Sequence, residues 1–115
     1  MLRCGVKMIV IRKQPGKFPE VIDVHNELSA LQEQVGGYIE TVAFATDACF
    51  ICDEEGKLKD KPFNVELLGM PFFGTVLAVG GAGEEFTSLD SDQIGILMLT
   101  MIKAYNKAKE RERNG

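Results

Sequence analysis

LQEQVGGYIETVAF, residues 31–44, reads as the end of a helix, a double-glycine stop and a strand that must enter the core. Leu28, Leu31 and Val35 recur at helical spacing, which gives a helix over about Glu27–Val35 one apolar face. Asn26 stands where it can cap that helix, Gly36 is the expected left-handed C-cap, and Gly37 releases the chain. From Tyr38 the pattern switches to alternation. Tyr38, Glu40, Val42 and Phe44 share one face, and Ile39, Thr41 and Ala43 the other.

Outward from this stretch the chain reads as strands. VKMIVIR (6–12) is β-branched and apolar, QPGK (14–17) is turn chemistry, and FPEVIDV (18–24) suits an edge strand because Pro19 cannot donate to a ladder. ACFICD (48–53) is the expected hairpin partner of 38–44, across a turn at Thr46-Asp47. DEEGK (53–57) is a polar turn with a positive φ expected at Gly56. Residues 57–74, punctuated by Pro62, Gly69, Pro71 and Gly74, are expected to be loop with one helical turn near Asn64–Leu68. TVLAV (75–79) is a buried strand. Asp90 and Gln93 form an acidic capping box, after which Ile94, Leu97, Met98, Met101, Ile102 and Tyr105 line one side of a helix. Ile96 and Leu99 widen its stripe, and the helix is expected to fade within KAKERERNG, about 107–115.

These elements make a single α/β (α+β) domain over residues 1–115. The expected sheet is mixed, mostly antiparallel, of about five strands, with one short helix and a long C-terminal helix packed on it.

Composition narrows the function classes. Thirteen Lys and Arg against seventeen Asp and Glu give a formal charge of −4, which argues against a general nucleic-acid surface. No apolar run approaches the ~20 residues that span a bilayer, and the start of the chain reads as a first strand rather than a leader. Three cysteines, Cys4, Cys49 and Cys52, fit reduced thiols in a cytoplasmic protein better than a disulfide framework. Cys49 and Cys52 form a CxxC, yet in a strand that spacing sends the sulfurs to opposite faces, and no second ligand pair accompanies them. His25 is the only histidine, and no nucleophile elbow or paired-carboxylate pattern appears, so catalysis, metal and cofactor are not expected. GGAG (80–83) follows a strand as phosphate loops do, but Glu84 and Glu85 stand where Lys or Ser/Thr is wanted.

Positive charge gathers in two loops, Arg12, Lys13 and Lys17 in one and Lys57, Lys59 and Lys61 in the other. They are either solvated lysines or loops that meet at one end of the sheet to hold an anion. Tyr38, Phe72 or Phe73 is either core or a stacking face. The wide stripe of the last helix is core or a dimer seam.

LQEQVGGYIETV, ICDEEGKLKDKPFN, GTVLAVG and EFTSLDSDQ together resemble the domain of unknown function 3846 family. The matching positions are the Pro-Gly-Lys turn ending at Lys17, Val35 to Glu40, Asp53 to Lys57, Pro62 and Asn64, Gly74-Thr75, and Ser88-Leu89. Asp53 stands where Asn is common, and the last helix is longer than usual. The resemblance implies a small non-enzymatic accessory protein of phages and bacterial mobile elements. It leads to a binding role, with a nucleotide-derived immune signal as the expected ligand. Lys13, Lys17, Lys57 and Lys59 would then supply charge, Asn64 a hydrogen bond and Tyr38 a stacking face, with dimerisation through the last helix. The alternative is an inhibitor that contacts a host protein through that helix.

Overall fold

The computed structural model describes residues 6–81 and 85–114, with the side chains of residues 113 and 114 left aside. Cys4 and residues 82 and 83 of the GGAG segment lie outside the described residues. In chain order the elements are β1 Lys7–Lys13, β2 Glu20–His25, α1 Leu28–Val35, β3 Ile39–Ala45, β4 Ala48–Asp53, β5 Phe63–Leu67, β6 Met70–Phe73, β7 Val76–Gly80 and α2 Ser91–Asn114.

Five strands form one sheet in the order β2-β1-β7-β4-β3, and every neighbouring pair is antiparallel. β7, wholly buried, lies in the middle between two hairpins that are local in sequence. Ile11, Phe50, Val76 and Ala78 point to one face and meet Leu97 and Met101 of α2. Val10, Ile51, Leu77 and Val79 point to the other and meet Leu31 and Val35 of α1. Alternation thus fills two thin cores, and fully buried side chains such as Leu97 and Phe50 contribute about 2 kcal/mol each. Cys49 and Cys52 fall in opposite cores, as their spacing requires, and burial pushes both thiols up, Cys52 to about 11 with Glu40 and Asp53 adding to it.

The 57–74 segment departs from expectation. It holds no helical turn at Asn64–Leu68; β5 and β6 form a separate two-stranded antiparallel sheet. Its two-residue connection, Leu68-Gly69, has positive φ at both positions (55° and 75°), the geometry of a type I′ hairpin turn. The hairpin lays Val65, Leu67 and Phe72 onto the core beneath α2. Three smaller expectations are also corrected. Asn26 does not cap α1, whose N-cap is Glu27 without a side-chain bond; Asn26 Nδ2 donates to the Phe86 carbonyl instead, at 3.0 Å. Gly56 is not at positive φ; a Cβ there would lie 2.7 Å from the Phe73 carbonyl oxygen, so close approach selects glycine. And β3 does not lie in the core as expected: it is the outer strand of the sheet, with only Ile39, Val42 and Phe44 partly buried. α2 runs to Asn114, with Arg111 bonded to Glu66 on β5 at 3.0 Å.

The start of α2 follows the expected chemistry. Gln93 N donates to Asp90 Oδ1 at 2.8 Å, and Asp90 N donates to Gln93 Oε1 at 2.9 Å. Among the described residues no helix is long and apolar enough to cross a membrane.

Candidate functional site

Strand register brings the two basic loops to the same end of the sheet. Lys13 pairs with Val76 at the start of β7, and Asp53, at the end of β4, pairs with Ile39 at the start of β3. The lysines there divide into two groups with different work.

Lys59 and Lys61 serve the fold. Both ammoniums approach the buried Asp53 carboxylate, at 3.0 and 2.7 Å. Lys61 Nζ also donates to the Val35 and Gly36 carbonyls at 2.7 and 3.2 Å, and Lys59 Nζ to Gly36 at 3.3 Å. The end of α1, where carbonyls lack partners and the helix dipole is negative, is thus closed by two cations from the loop that follows β4. Glycine is needed at this junction. Gly36 has φ 81°, and a Cβ on Gly37 would come within 2.7 Å of the Asp53 carboxylate and 2.6 Å of Lys59 Nζ. Burial raises the Asp53 pKa, but the hydrogen bonds from Lys61, the Glu55 amide and Lys59 outweigh it and bring the carboxyl down to about 2.

Lys13 is different. Its side chain is 1% exposed, on the α2 face of the sheet. Nζ donates to Asn64 Oδ1 at 2.9 Å and to the Gln14 carbonyl at 2.7 Å. Asn64, itself buried, returns two bonds through Nδ2, to the Lys13 carbonyl at 2.7 Å and the Gly74 carbonyl at 2.8 Å. Both partners of the ammonium are neutral, and among the described residues no carboxylate pairs with it. Burial, with help from the nearby Lys109 charge, pulls the Lys13 pKa from 10.5 to about 8. The two ammoniums share the Tyr105 ring, at 5.2 Å and 5.6 Å from its centroid.

A cleft of about 350 Å³ opens above this group, lined by Lys13, Asn64, Phe63, Tyr105, Lys109 and Arg111. Glu112 contributes one carboxylate, 4.0 Å from Lys109. The walls come from β5, the turn after β1 and the last three turns of α2.

The six residues singled out in the sequence therefore separate. Lys13 and Asn64 are joined in the cleft, and Lys17 is exposed on the turn whose Gly16 lines it. Lys57 lines a second cavity of about 280 Å³ beside Glu40, Asp53 and Phe73. Lys59 is taken up by Asp53, and Tyr38 is 69% exposed, outside both cavities. Sequence reasoning missed Tyr105, Lys109 and Arg111. Their signal was helical spacing continued into the charged tail, which sets Tyr105 and Lys109 one turn apart on the face of Met101. Among the described residues no group of three His, Cys, Asp or Glu side chains gathers as a metal site would require.

Fold and site together define a small α+β domain with a lysine-floored cleft under its C-terminal helix. Residues 6–103 match a domain of unknown function, DUF3846, and the chain belongs to that family. No curated protein and no solved structure matches it.

Proposed function

We propose that this protein binds a small phosphate-bearing ligand in the cleft between α2 and the β5–β6 hairpin and holds it without turning it over. Lys13 carries the reading. A buried ammonium whose bonded partners are both neutral is an expensive feature to keep in a core. Two of its three N–H groups are used, and an oxyanion at the third would supply the missing negative charge. Lys109 adds positive charge on the wall, where Arg111 is paired with Glu66, Lys17 adds it near the rim, and Phe63, 40% exposed, offers an apolar surface for a sugar or base. The Tyr105 ring is already engaged by two ammoniums and by a T-shaped contact with Phe18, so it orients lysines rather than stacking a base.

The ligand class that fits both the cleft and the family resemblance is a nucleotide-derived signal. The corresponding role is sequestration of that signal in the cytoplasm of a bacterial host by a phage or mobile-element accessory protein. Calorimetry with ADP-ribose, a cyclic dinucleotide and inorganic phosphate tests it. Binding is expected for at least one nucleotide, weakened at least about tenfold by Lys109→Gln and more by Lys13→Met. If none binds, or if both variants bind as the parent does, the reading is wrong.

A further inference from the structure

α2 has a second face that the fold does not use. Ile94, Leu97, Met98, Met101, Ala104 and Ala108 pack inward. On the opposite side Asp92, Ile96, Leu99 and Lys103 follow one another at steps of four, three and four residues, which places them in a single outward stripe. Ile96 and Leu99 are 58% and 55% exposed. Among the described residues neither Asp92 nor Lys103 makes an ion pair.

We propose that this stripe is the seam of a homodimer in which two copies of α2 pack antiparallel about a two-fold axis at the level of Leu97 and Met98. The stripe is self-complementary in that arrangement and in no simple alternative. Ile96 meets Leu99 of the partner subunit, and Asp92 meets Lys103 of the partner subunit; the two-fold repeats both pairs. Parallel pairing would set Asp92 against its own copy and Lys103 against its own copy, two like-charge contacts in place of four opposite charges in two pairs. Antiparallel helices also oppose their dipoles favourably.

Gly95 agrees with a close approach. In a helix interior glycine costs about 1 kcal/mol relative to alanine. A Cβ at Gly95 would meet no atom within 4 Å in its own chain, so nothing inside the protomer asks for its absence. Leu68 at the hairpin tip, 52% exposed, lies beside Thr100 and Lys103 and extends the apolar area. The stripe shares no residue with the ligand cleft, so the two proposals stand or fall separately.

Sedimentation equilibrium of the full chain from low to high micromolar concentration is the test, with far-UV circular dichroism confirming that each variant folds. A dimer is expected, and Ile96→Asp should make it monomeric. Asp92→Lys alone and Lys103→Asp alone should each raise the dimer Kd at least about tenfold, and the double exchange should return it to within about threefold. A chain monomeric at every concentration would overturn the proposal, as would a dimer indifferent to Ile96→Asp or a double exchange as weak as its parents. A monomer that captures a different protein through Ile96 would assign the stripe to that partner and equally overturn it.

Discussion

Lys61 Nζ lies 2.7 Å from the Asp53 carboxylate and 2.7 Å from the Val35 carbonyl, so one ammonium ties the end of β4 to the end of α1. The two most recognisable blocks of the sequence, Val35 to Glu40 and Asp53 to Lys61, are therefore one mechanical unit. Asp53→Asn keeps the shape and removes the charge, leaving two cations over the helix end without their anion. It should cost about 2 kcal/mol, below the range for a fully buried pair because both lysines are partly exposed. Urea unfolding at neutral pH measures it.

The same carboxylate predicts the acid limb. Its folded pKa of about 2 lies below the ordinary 3.8. The unfolded chain therefore takes up a proton first as pH falls. The stabilisation is whole above pH ~4, declines below that and is gone near pH ~2. The stability difference between the parent and Asp53→Asn should shrink over that window; a difference constant from pH 5 to pH 2 would contradict the assignment.

Gly37→Ala should act through the same group. The added methyl meets the Asp53 carboxylate and Lys59 Nζ below 3 Å, so the ion cluster must open. A loss of about 1–2 kcal/mol is expected, together with an upward shift of the acid transition. Loss of stability without that shift would point to backbone strain alone.

Lys13 predicts the alkaline side, with the opposite sign. Its folded pKa of about 8 lies below the ordinary 10.5, so over the interval between them the unfolded chain holds the proton that the folded protein has released. The contribution of Lys13 to stability should rise with pH, by about 1 kcal/mol between pH 8 and 9. From about pH 8 upward the raised thiols of Cys49 and Cys52 work the other way and flatten the gain. The charge facing Lys13 from α2 is Lys109, which has the same sign. In Lys13→Met the rise between pH 8 and 9 should disappear, as followed by urea midpoints.

Leu68 predicts a gain. It holds φ 55° in the hairpin turn, a region that a branched side chain enters at a cost, and it is half exposed. Leu68→Asn should stabilise the protein by about 0.5–1 kcal/mol, read as a higher Tm, because Asn-Gly is a favoured pair for this turn.

That residue also explains the main gap between sequence and fold. The hairpin at 63–73 was illegible because its turn carries Leu where Asn or Asp would announce it, and because Pro62, Pro71 and Gly74 crowd a short segment with breakers. Elements with a clean period, 38–44 with 48–53 and the helix after Asp90, were legible to within a residue or two. The site was half legible for a related reason. Lys13 and Asn64 belong to loops and strands where type alone suggested binding. Tyr105, Lys109 and Arg111 belong to a charged helical tail, whose docking against β5 depends on that hairpin being there. Lys59 shows the reverse: a loop lysine that looked free is committed to a buried acid its own turn supplies.

The central position of β7 has a consequence for how the chain assembles. Its neighbours on either side, β1 and β4, belong to hairpins that can each close from nearby residues, yet those hairpins do not pair with one another. They become one sheet only when residues 76–80 slide between them, and both cores are shared across that strand. On the ribosome residues 7–53 would leave as two separate ribbons with unpaired inner edges, and the cooperative structure would form late and in one step. The strand that arrives among the last is the one that makes the molecule a single folding unit.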